Sequence, residues 1–308
     1  MSAAARLLED GGAAAAGPEF FRSAEFLAAE GVTHTLVIAA AEGELAAPLL
    51  VREIPGGGAD AISPYGYPGA AAPPGAAVDP DEVDWSATGL VSLFLRHRLG
   101  GEPPLRGATA RNQVQIADPA LAAKSRPSDR RQIRRNEEDG YRVRRVLGAE
   151  AADADRRGFL SAYEETMRRA GADDRYFFSE QYFDRLLCFE DSHLYLATEP
   201  QGQVAAASIV ARSDAMLHYF LSGTLDQFVP DSPMKNLVAS ITGYAAEREM
   251  PLNLGGGMRP GDALEEFKRG FANRSEPFHT SEIVADRAAY ERLSEGRDAA
   301  GYFPAYRA

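Results

Sequence analysis

The stretch LNLGGGMRPGDALEEFKRGF, residues 252–271, carries the clearest structural signals in the chain. An apolar run over 252–254 meets three glycines, which predicts a short strand that ends in a tight turn. Asp262 is followed three residues later by Glu265, a spacing that forms a capping box. We therefore predict a short helix that begins after Asp262 and ends at Arg269.

The segments around this stretch add helices and a meander of strands. Apolar residues spaced as on one face of a helix predict helices, and β-branched apolar runs separated by polar turns predict strands. The predicted helices span 153–170, 179–189 and 234–249, and the predicted strands span 194–198, 204–211, 216–224 and 278–284.

The resulting order is helix, helix, three antiparallel strands, helix, strand, helix, strand, which is typical of an N-acetyltransferase (GNAT) fold. A helix connects the meander to the strand at 252–254, so that strand is expected to run parallel to its neighbour. Two such strands can splay apart. The sequence therefore predicts a cleft at this point, where a GNAT fold admits its acyl donor.

The first half of the chain has a similar but weaker pattern. It begins with a segment predicted to be flexible and contains a long loop rich in glycine and proline at 55–80. Strands are predicted at 35–41, 45–54, 89–95, 113–117 and 141–147, and a helix at 128–140. We predict an α/β (α+β) protein of two GNAT-like modules, residues 1–150 and 151–308, each a mixed, mostly antiparallel sheet flanked by helices.

Composition limits the possible functions. The 308 residues include 33 Lys and Arg against 45 Asp and Glu, a net charge of −12, so nucleic acid cannot bind over the whole surface. The single cysteine, Cys188, excludes an internal disulfide, favours the cytoplasm and is expected to be buried. No run is apolar enough to span a membrane. The five histidines have no metal-ligand spacing, so neither a metal nor a cofactor is predicted.

The C-terminal stretch resembles the signature of the Fem family, in which an LGG strand end is followed by an FKxxF element. This family comprises aminoacyl-tRNA-dependent transferases built from tandem GNAT modules. The long coiled-coil insertion of FemA-like members has no counterpart here, so the chain resembles the compact FemX-like form. Other matching segments, in the same order, are SPYGY at 63–67, the helix at 130–140, YEETMRRAGADDRYFFSEQY at 163–182 and HYFLSG at 218–223.

The resemblance implies that an amino acid moves from aminoacyl-tRNA to an amine and forms a peptide-type bond. The acceptor would be peptide-like or nucleotide-linked, either a peptidoglycan precursor or an antibiotic intermediate. Residues 1–150 would bind it, and 151–308 would carry out the transfer. Lys268 and Phe267 would be catalytic, because a fixed cation can stabilise the oxyanion formed when an amine attacks an ester. The residues alone leave open an ordinary helix end with a solvated Lys268.

Further candidate residues could contact the substrates. Tyrosines and small residues are proposed to line a substrate groove, although packing of the tyrosines and a simple glycine turn remain open. These candidates are Tyr65, Tyr67, Tyr176, Tyr219, Ser222, Gly256 and Gly257.

A local basic cluster departs from the acidic total. Between Lys124 and Arg145 lie nine basic residues against four acidic ones. This cluster could bind the acceptor arm of tRNA, an anionic substrate or only water. The arginines proposed to bind tRNA are Arg130, Arg131, Arg134 and Arg135.

The segment after the meander bears on the acyl donor. In acetyl-CoA enzymes of this fold, a glycine-bearing loop here binds the pyrophosphate through backbone N–H groups. Residues 225–233 contain no glycine, two prolines and two aspartates. Prolines lack the N–H group and aspartates repel phosphate, so the segment argues against coenzyme A. An acyl-CoA-dependent N-acyltransferase and a non-catalytic peptide-binding GNAT module remain as alternatives. The oligomeric state is not determined, and a monomer is assumed.

Overall fold

The computed structural model describes residues 3–41 and 43–308. Its strands, numbered along the chain, are β1 Ala3–Leu8, β2 His34–Ala40, β3 Gly43–Glu53, β4 Ala59–Ile62, β5 Val83–Asp84, β6 Leu90–Arg96, β7 Thr109–Ala117, β8 Arg142–Leu147, β9 Ser192–Thr198, β10 Val204–Ser213, β11 Met216–Thr224, β12 Leu252–Gly255 and β13 Arg274–Val284. Its α-helices are α1 Ala24–Ala29, α2 Pro127–Glu138, α3 Asp153–Ala170, α4 Glu180–Leu187, α5 Met234–Glu247, α6 Ala263–Arg269 and α7 Arg287–Ser294.

The chain divides into two compact units, but not at the predicted position near residue 150. One unit contains the residues up to Arg111 together with Pro277–Ala308, and the other contains Asn112–Glu276. Strand β8 pairs with β9 along its whole length, which places the segment before residue 150 in the second unit. The end of β13 pairs with β6, which returns the C-terminal segment to the first unit.

In the first unit the strand order is β5-β1-β2-β3-β4-β6-β13. Strands β2, β3 and β4 form an antiparallel meander, and β6 then runs parallel to β4. Leu36, Ile38, Leu49 and Leu93 are fully buried at its core. Two predictions are wrong here. The segment expected to be flexible contains β1, and the loop predicted at 55–80 contains β4, which is too short to give a clear periodicity.

In the second unit the strand order is β7-β12-β11-β10-β9-β8. The meander β9-β10-β11 is followed by α5 and then by β12, which runs parallel to β11 as predicted. Leu237, Val238 and Ile241 of α5 pack on a core that includes Leu217. Both units thus contain an antiparallel meander followed by a parallel strand. The predicted fold class, a mixed and mostly antiparallel α/β architecture, is confirmed.

Helix α3 approaches β11 so closely that Gly223 has no room for a side chain. A Cβ at Gly223 would lie 2.2 Å from the carbonyl oxygen of Ala162. Gly223→Ala should therefore force the backbones apart and lower the free energy of unfolding by about 2–3 kcal/mol, measured by urea denaturation. Gly243→Ala, on α5 with nothing within 4 Å, should instead raise it by about 0.5–1 kcal/mol. Equal effects at the two positions would contradict this account.

Candidate active site

The parallel strands β11 and β12 pair only over a short distance. Among the described residues, the register joins Leu217 with Leu252 and His218 with Asn253, after which β11 continues to Thr224 and β12 ends at Gly255. On its other edge, β12 pairs with β7, where Leu252 lies opposite Ala117 and Gly255 opposite Gln115. Strands β11 and β12 therefore separate beyond Asn253, as the sequence predicts for a GNAT cleft.

A buried hydrogen-bonded pair marks the point of separation. The Nδ2 of Asn253 donates to Nδ1 of His218 at 3.1 Å, and its Oδ1 accepts from the backbone N–H of Gly255 at 2.8 Å. The other ring nitrogen of His218 lies 3.3 Å from the carbonyl of Ser213. Burial lowers the pKa of His218 to about 4, so the ring is neutral near pH 7. This pair fixes the end of β12 and the start of the glycine turn.

Helix α6 carries Lys268 into the protein interior. The helix is capped by Asp262, whose side chain accepts from the backbone N–H of Glu265 at 2.8 Å. Lys268 is only 9% exposed, and its Nζ donates to the carbonyl oxygen of Gly256 at 2.6 Å. The interpretation of Lys268 as a solvated helix-end residue is therefore wrong.

Burial also changes the ionisation of this lysine. Desolvation lowers the pKa of Lys268 from 10.5 to about 8, and the negative charge of Asp262 opposes this shift. At pH 7 the amine is still mostly protonated. An ammonium group has three N–H donors, and among the described residues only the Gly256 carbonyl accepts from it. The site thus holds a cation in a poorly solvated position with donors left for another molecule.

The neighbouring residues of α6 are used for packing. Phe267 and Phe271 contact each other with ring centroids 5.5 Å apart, as their spacing predicts. Phe271 is buried, and the half-buried Phe267 packs against the same core. Gly270 ends the helix as its C-cap. Phe267 precedes Lys268 in the sequence and is only half-buried. Its proposed catalytic role stays a prediction.

The two glycines predicted to contact substrate are required by the chain's own packing. A Cβ at Gly256 would lie 2.8 Å from the carbonyl oxygen of Gln113, and one at Gly257 would lie 2.3 Å from Oδ1 of Asp262. Only Gly255 has a positive φ, 78°, within the triple glycine. These contacts explain the glycines as parts of a tight turn that brings the Gly256 carbonyl to Lys268.

Besides the two glycines, three more substrate-binding candidates lie in the second unit. Tyr219 is 8% exposed and its hydroxyl donates to Sδ of Met234 at 3.2 Å, a position that suits packing. Ser222 is half-buried on β11. Tyr176 is half-buried, and its carbonyl accepts from the hydroxyl of Tyr163 at 2.8 Å.

The other two tyrosine candidates lie in the first unit, whereas Lys268 belongs to the second. Tyr67 packs edge-on against Phe21 and Phe278, with ring centroids 5.5 and 5.1 Å away. Tyr65 is 37% exposed, and its backbone N–H donates to Glu30 at 2.8 Å. An exposed aromatic ring on an ordered loop can contact a substrate, whereas Tyr67 is already used in packing.

Helix α2 presents the predicted arginines to solvent. All four, Arg130, Arg131, Arg134 and Arg135, are exposed. Arg126, the residue before the helix, forms an ion pair of 3.0 Å with Glu266 of α6. The basic helix therefore begins beside the helix that carries Lys268.

The segment 225–233 is tied to α2 and to the residue before β8. It forms a 3₁₀ helix over Asp226–Asp231, and the carbonyl of Asp231 accepts from the side-chain amides of Gln132 at 3.1 Å and Asn136 at 2.9 Å. The hydroxyl of Tyr141 donates to the Asp231 carboxylate at 2.6 Å, and burial together with this carboxylate raises the pKa of Tyr141. A carboxylate and two prolines thus precede α5, where an acetyl-CoA enzyme would place free N–H groups.

The sequence comparisons agree with this topology. Residues 123–269 match the family model described as an acetyltransferase (GNAT) domain, and this range lies within the second unit. This segment has the GNAT fold. No curated protein matches the sequence significantly.

Solved structures show the same fold over most of the chain. The crystal structure of FemX is 12% identical, with a TM-score of 0.55 over 84% of this chain and 90% of FemX. L-PGS from Bacillus licheniformis is 10% identical, with a TM-score of 0.56 over 86% and 87% of the two chains. The C-terminal domain of a putative lysylphosphatidylglycerol synthetase from Agrobacterium fabrum is 13% identical, with a TM-score of 0.50 over 86% and 87%. The predicted resemblance to FemX is confirmed for the fold.

Sequence reasoning missed three contributors to the site of this GNAT domain. Asp262 was identified only as a helix cap, and His218 and Asn253 were given no role in the site. The available signal was polarity inside apolar strands, because Asn253 stands between two leucines and His218 between Leu217 and a tyrosine. A buried polar side chain needs a partner, and here the two residues are partners of each other.

Two further predictions concern Cys188 and the membrane. The prediction that Cys188 is buried is wrong, because the residue ends α4 and its side chain is exposed. In the described part of the chain, no helix combines the length and the apolar character needed to cross a bilayer.

Proposed function

We propose that this GNAT-fold acyltransferase is an aminoacyltransferase that takes an amino acid from aminoacyl-tRNA and forms an amide on an acceptor amine. The acceptor would be peptide-like or nucleotide-linked, such as a peptidoglycan precursor or an antibiotic intermediate. The observation that carries this proposal is the buried ammonium of Lys268 at the end of β12, where β11 and β12 separate. Charged tRNA is a cytoplasmic donor, which fits the single, unpaired cysteine.

The chemistry needs little beyond positioning and a fixed positive charge. The acceptor nitrogen attacks the ester carbonyl, and the new C–N bond produces a tetrahedral oxyanion. The C–O bond to the tRNA ribose then breaks, and the proton lost by the amine is transferred to the leaving ribose oxygen. Lys268 would stabilise the oxyanion with an N–H that the Gly256 carbonyl does not use. Because the ester is already activated, no covalent enzyme intermediate is required.

Two surfaces of the second unit support tRNA as the donor. Segment 225–233 offers two aspartates and a Tyr141–Asp231 hydrogen bond where coenzyme A would need free N–H groups. The exposed arginines of α2 lie on a helix that begins beside α6. Such a basic face suits the phosphates of an acceptor arm. The name lysylphosphatidylglycerol synthetase, borne by one protein of similar fold, also specifies a lysyl group, which supports an aminoacyl donor. We assign the acceptor to the first unit.

Transfer is expected only when the labelled amino acid is supplied on tRNA. A pool of tRNA charged with ¹⁴C-labelled amino acids is incubated with the protein and a panel of amine acceptors, and amide products are identified by mass. Treatment with RNase before the reaction should abolish transfer, whereas the free amino acid should give no product. Acetyl-CoA is supplied in parallel with the same acceptors. Robust acetylation without tRNA would overturn the proposal and favour the acyl-CoA-dependent alternative.

A further inference from the structure

The segment from Gly257 to Asp262 closes on a single carboxylate. Oδ2 of Asp262 accepts from the backbone N–H groups of Met258 at 2.7 Å and Arg259 at 2.9 Å, while Oδ1 accepts from that of Glu265 at 2.8 Å. A side chain at Gly257 would collide with Oδ1 at 2.3 Å. Gly256, whose carbonyl receives the Lys268 ammonium, immediately precedes this closed turn.

The other charges near Lys268 are already neutralised by partners. On α6, Glu265 pairs with Arg269, and Glu266 pairs with Arg269 and with Arg126. Asp129 of α2, which lies beside Gly270 of α6, is likewise paired, with Lys235 of α5 at 2.9 Å.

The turn itself carries two charges, Arg259 and Asp262. The side chain of Arg259 is exposed. Hydrogen bonds from backbone N–H groups, that of Glu265 first, lower the pKa of Asp262, so it stays ionised near neutral pH. Its charge opposes the fall in the pKa of Lys268 that burial causes.

We propose that Asp262 is a positioning residue for Lys268, because it holds the turn that presents the Gly256 carbonyl and supplies a negative charge that acts on the buried ammonium. The catalytic meaning of this role rests on the proposed function. The effect on the ammonium does not, because the protonation of Lys268 can be measured without any substrate.

The chain is suited to a direct measurement because it contains only three lysines, Lys124, Lys235 and Lys268. In protein labelled with ¹³C-lysine, the Cε resonances are titrated by NMR from pH 6 to pH 11, and each resonance is assigned by substitution. The midpoint of Lys268, about 8 in the unchanged protein, should fall in Asp262→Asn, while those of the other two lysines stay unchanged. The pH above which the transfer rate declines should fall together with the NMR midpoint, and a fall of one pH unit would lower kcat at pH 7.5 about threefold.

Matched variants separate charge from capping. Asp286 caps α7 in the same way, accepting from the N–H of Ala289 at 2.9 Å, so Asp286→Asn should leave the midpoint of Lys268 unchanged. Asp262→Glu keeps the charge and should keep a midpoint near 8. If Asp262→Asn does not fold, Asp262→Ser removes the charge while retaining a good capping side chain, and it should lower the midpoint in the same way.

The inference would be overturned if the Lys268 midpoint did not move in Asp262→Asn. It would also be overturned if the midpoint in Asp262→Glu were as low as in the variants that lack the charge. A shifted midpoint in a protein with no transfer activity would instead support Asp262 and reject the proposed function.

Discussion

Replacing Lys268 with methionine is expected to lower the rate of the chemical step by about 10²–10³, the usual cost of losing one oxyanion donor. The same change should leave thermal stability at pH 7 unchanged or higher. Methionine fills a similar volume, and the substitution removes a charge that is costly to bury, because Lys268 is only 9% exposed. Loss of activity together with retained stability distinguishes a functional lysine from a structural one.

The direction of the stability effect follows from the two pKa values of Lys268. The pKa is about 8 in the folded protein and 10.5 when unperturbed. Between these values the unfolded chain binds more protons, so stability rises with pH across that window. Below pH 8 the full cost of the buried ammonium is present. The stability advantage of Lys268→Met should therefore be largest at pH 7 and disappear above about pH 10.5, as measured by urea denaturation across this range.

Kinetics should distinguish this role from substrate binding. In single-turnover reactions with saturating aminoacyl-tRNA, Lys268→Met should slow the chemical step. Lys268→Arg should rescue the rate only partly, because a planar guanidinium places its charge differently and does not fit a site built for a compact ammonium. Full activity of the methionine variant would show that the buried ammonium has no part in the reaction.

The order of elements in the second unit could be predicted because their signals are local. Apolar runs separated by polar turns define β9, β10 and β11, and helical spacing defines α3, α4 and α5, each within a few residues of the structure. The short strands β1 and β4 were missed, because four to six residues beside glycine or alanine tracts give no distinct period. The unit boundary was missed because it depends on long-range strand pairing, which a local pattern does not contain.

For the site, the sequence identified the residue but not its environment. The FKRGF element pointed to Lys268, yet the same letters fit a solvated helix end equally well. The capping box at Asp262 and the glycine turn are visible in the sequence, but the burial of Lys268 depends on how closely this turn packs, which no spacing shows. Residue types capable of catalysis can thus be read from the sequence, whereas a lowered pKa can be inferred only from the three-dimensional surroundings of the side chain.

The basic face of α2 provides the second large expected effect. Replacing Arg130, Arg131, Arg134 and Arg135 together with glutamine should weaken binding of aminoacyl-tRNA by about 10²-fold at low salt. It should also reduce the slope of log Kd against log salt concentration by about 3, because each phosphate that is no longer contacted keeps its bound counterion. The fold should persist, since all four side chains are exposed and only Arg135 pairs with a carboxylate, that of Asp139 at 3.6 Å, among the described residues.

A control of equal charge tests whether position or net charge matters. Replacing four other exposed arginines with glutamine changes the net charge by the same amount, and these are Arg157, Arg287, Arg292 and Arg297. If α2 contacts tRNA, the control should leave the salt slope nearly unchanged, because a screened charge away from the contact acts only weakly. Equal losses in both variants would indicate a nonspecific effect of an already acidic protein. Loss of acceptor binding with normal tRNA binding would assign the α2 arginines to an anionic acceptor, and the proposed contact between α2 and the tRNA would then have to be abandoned.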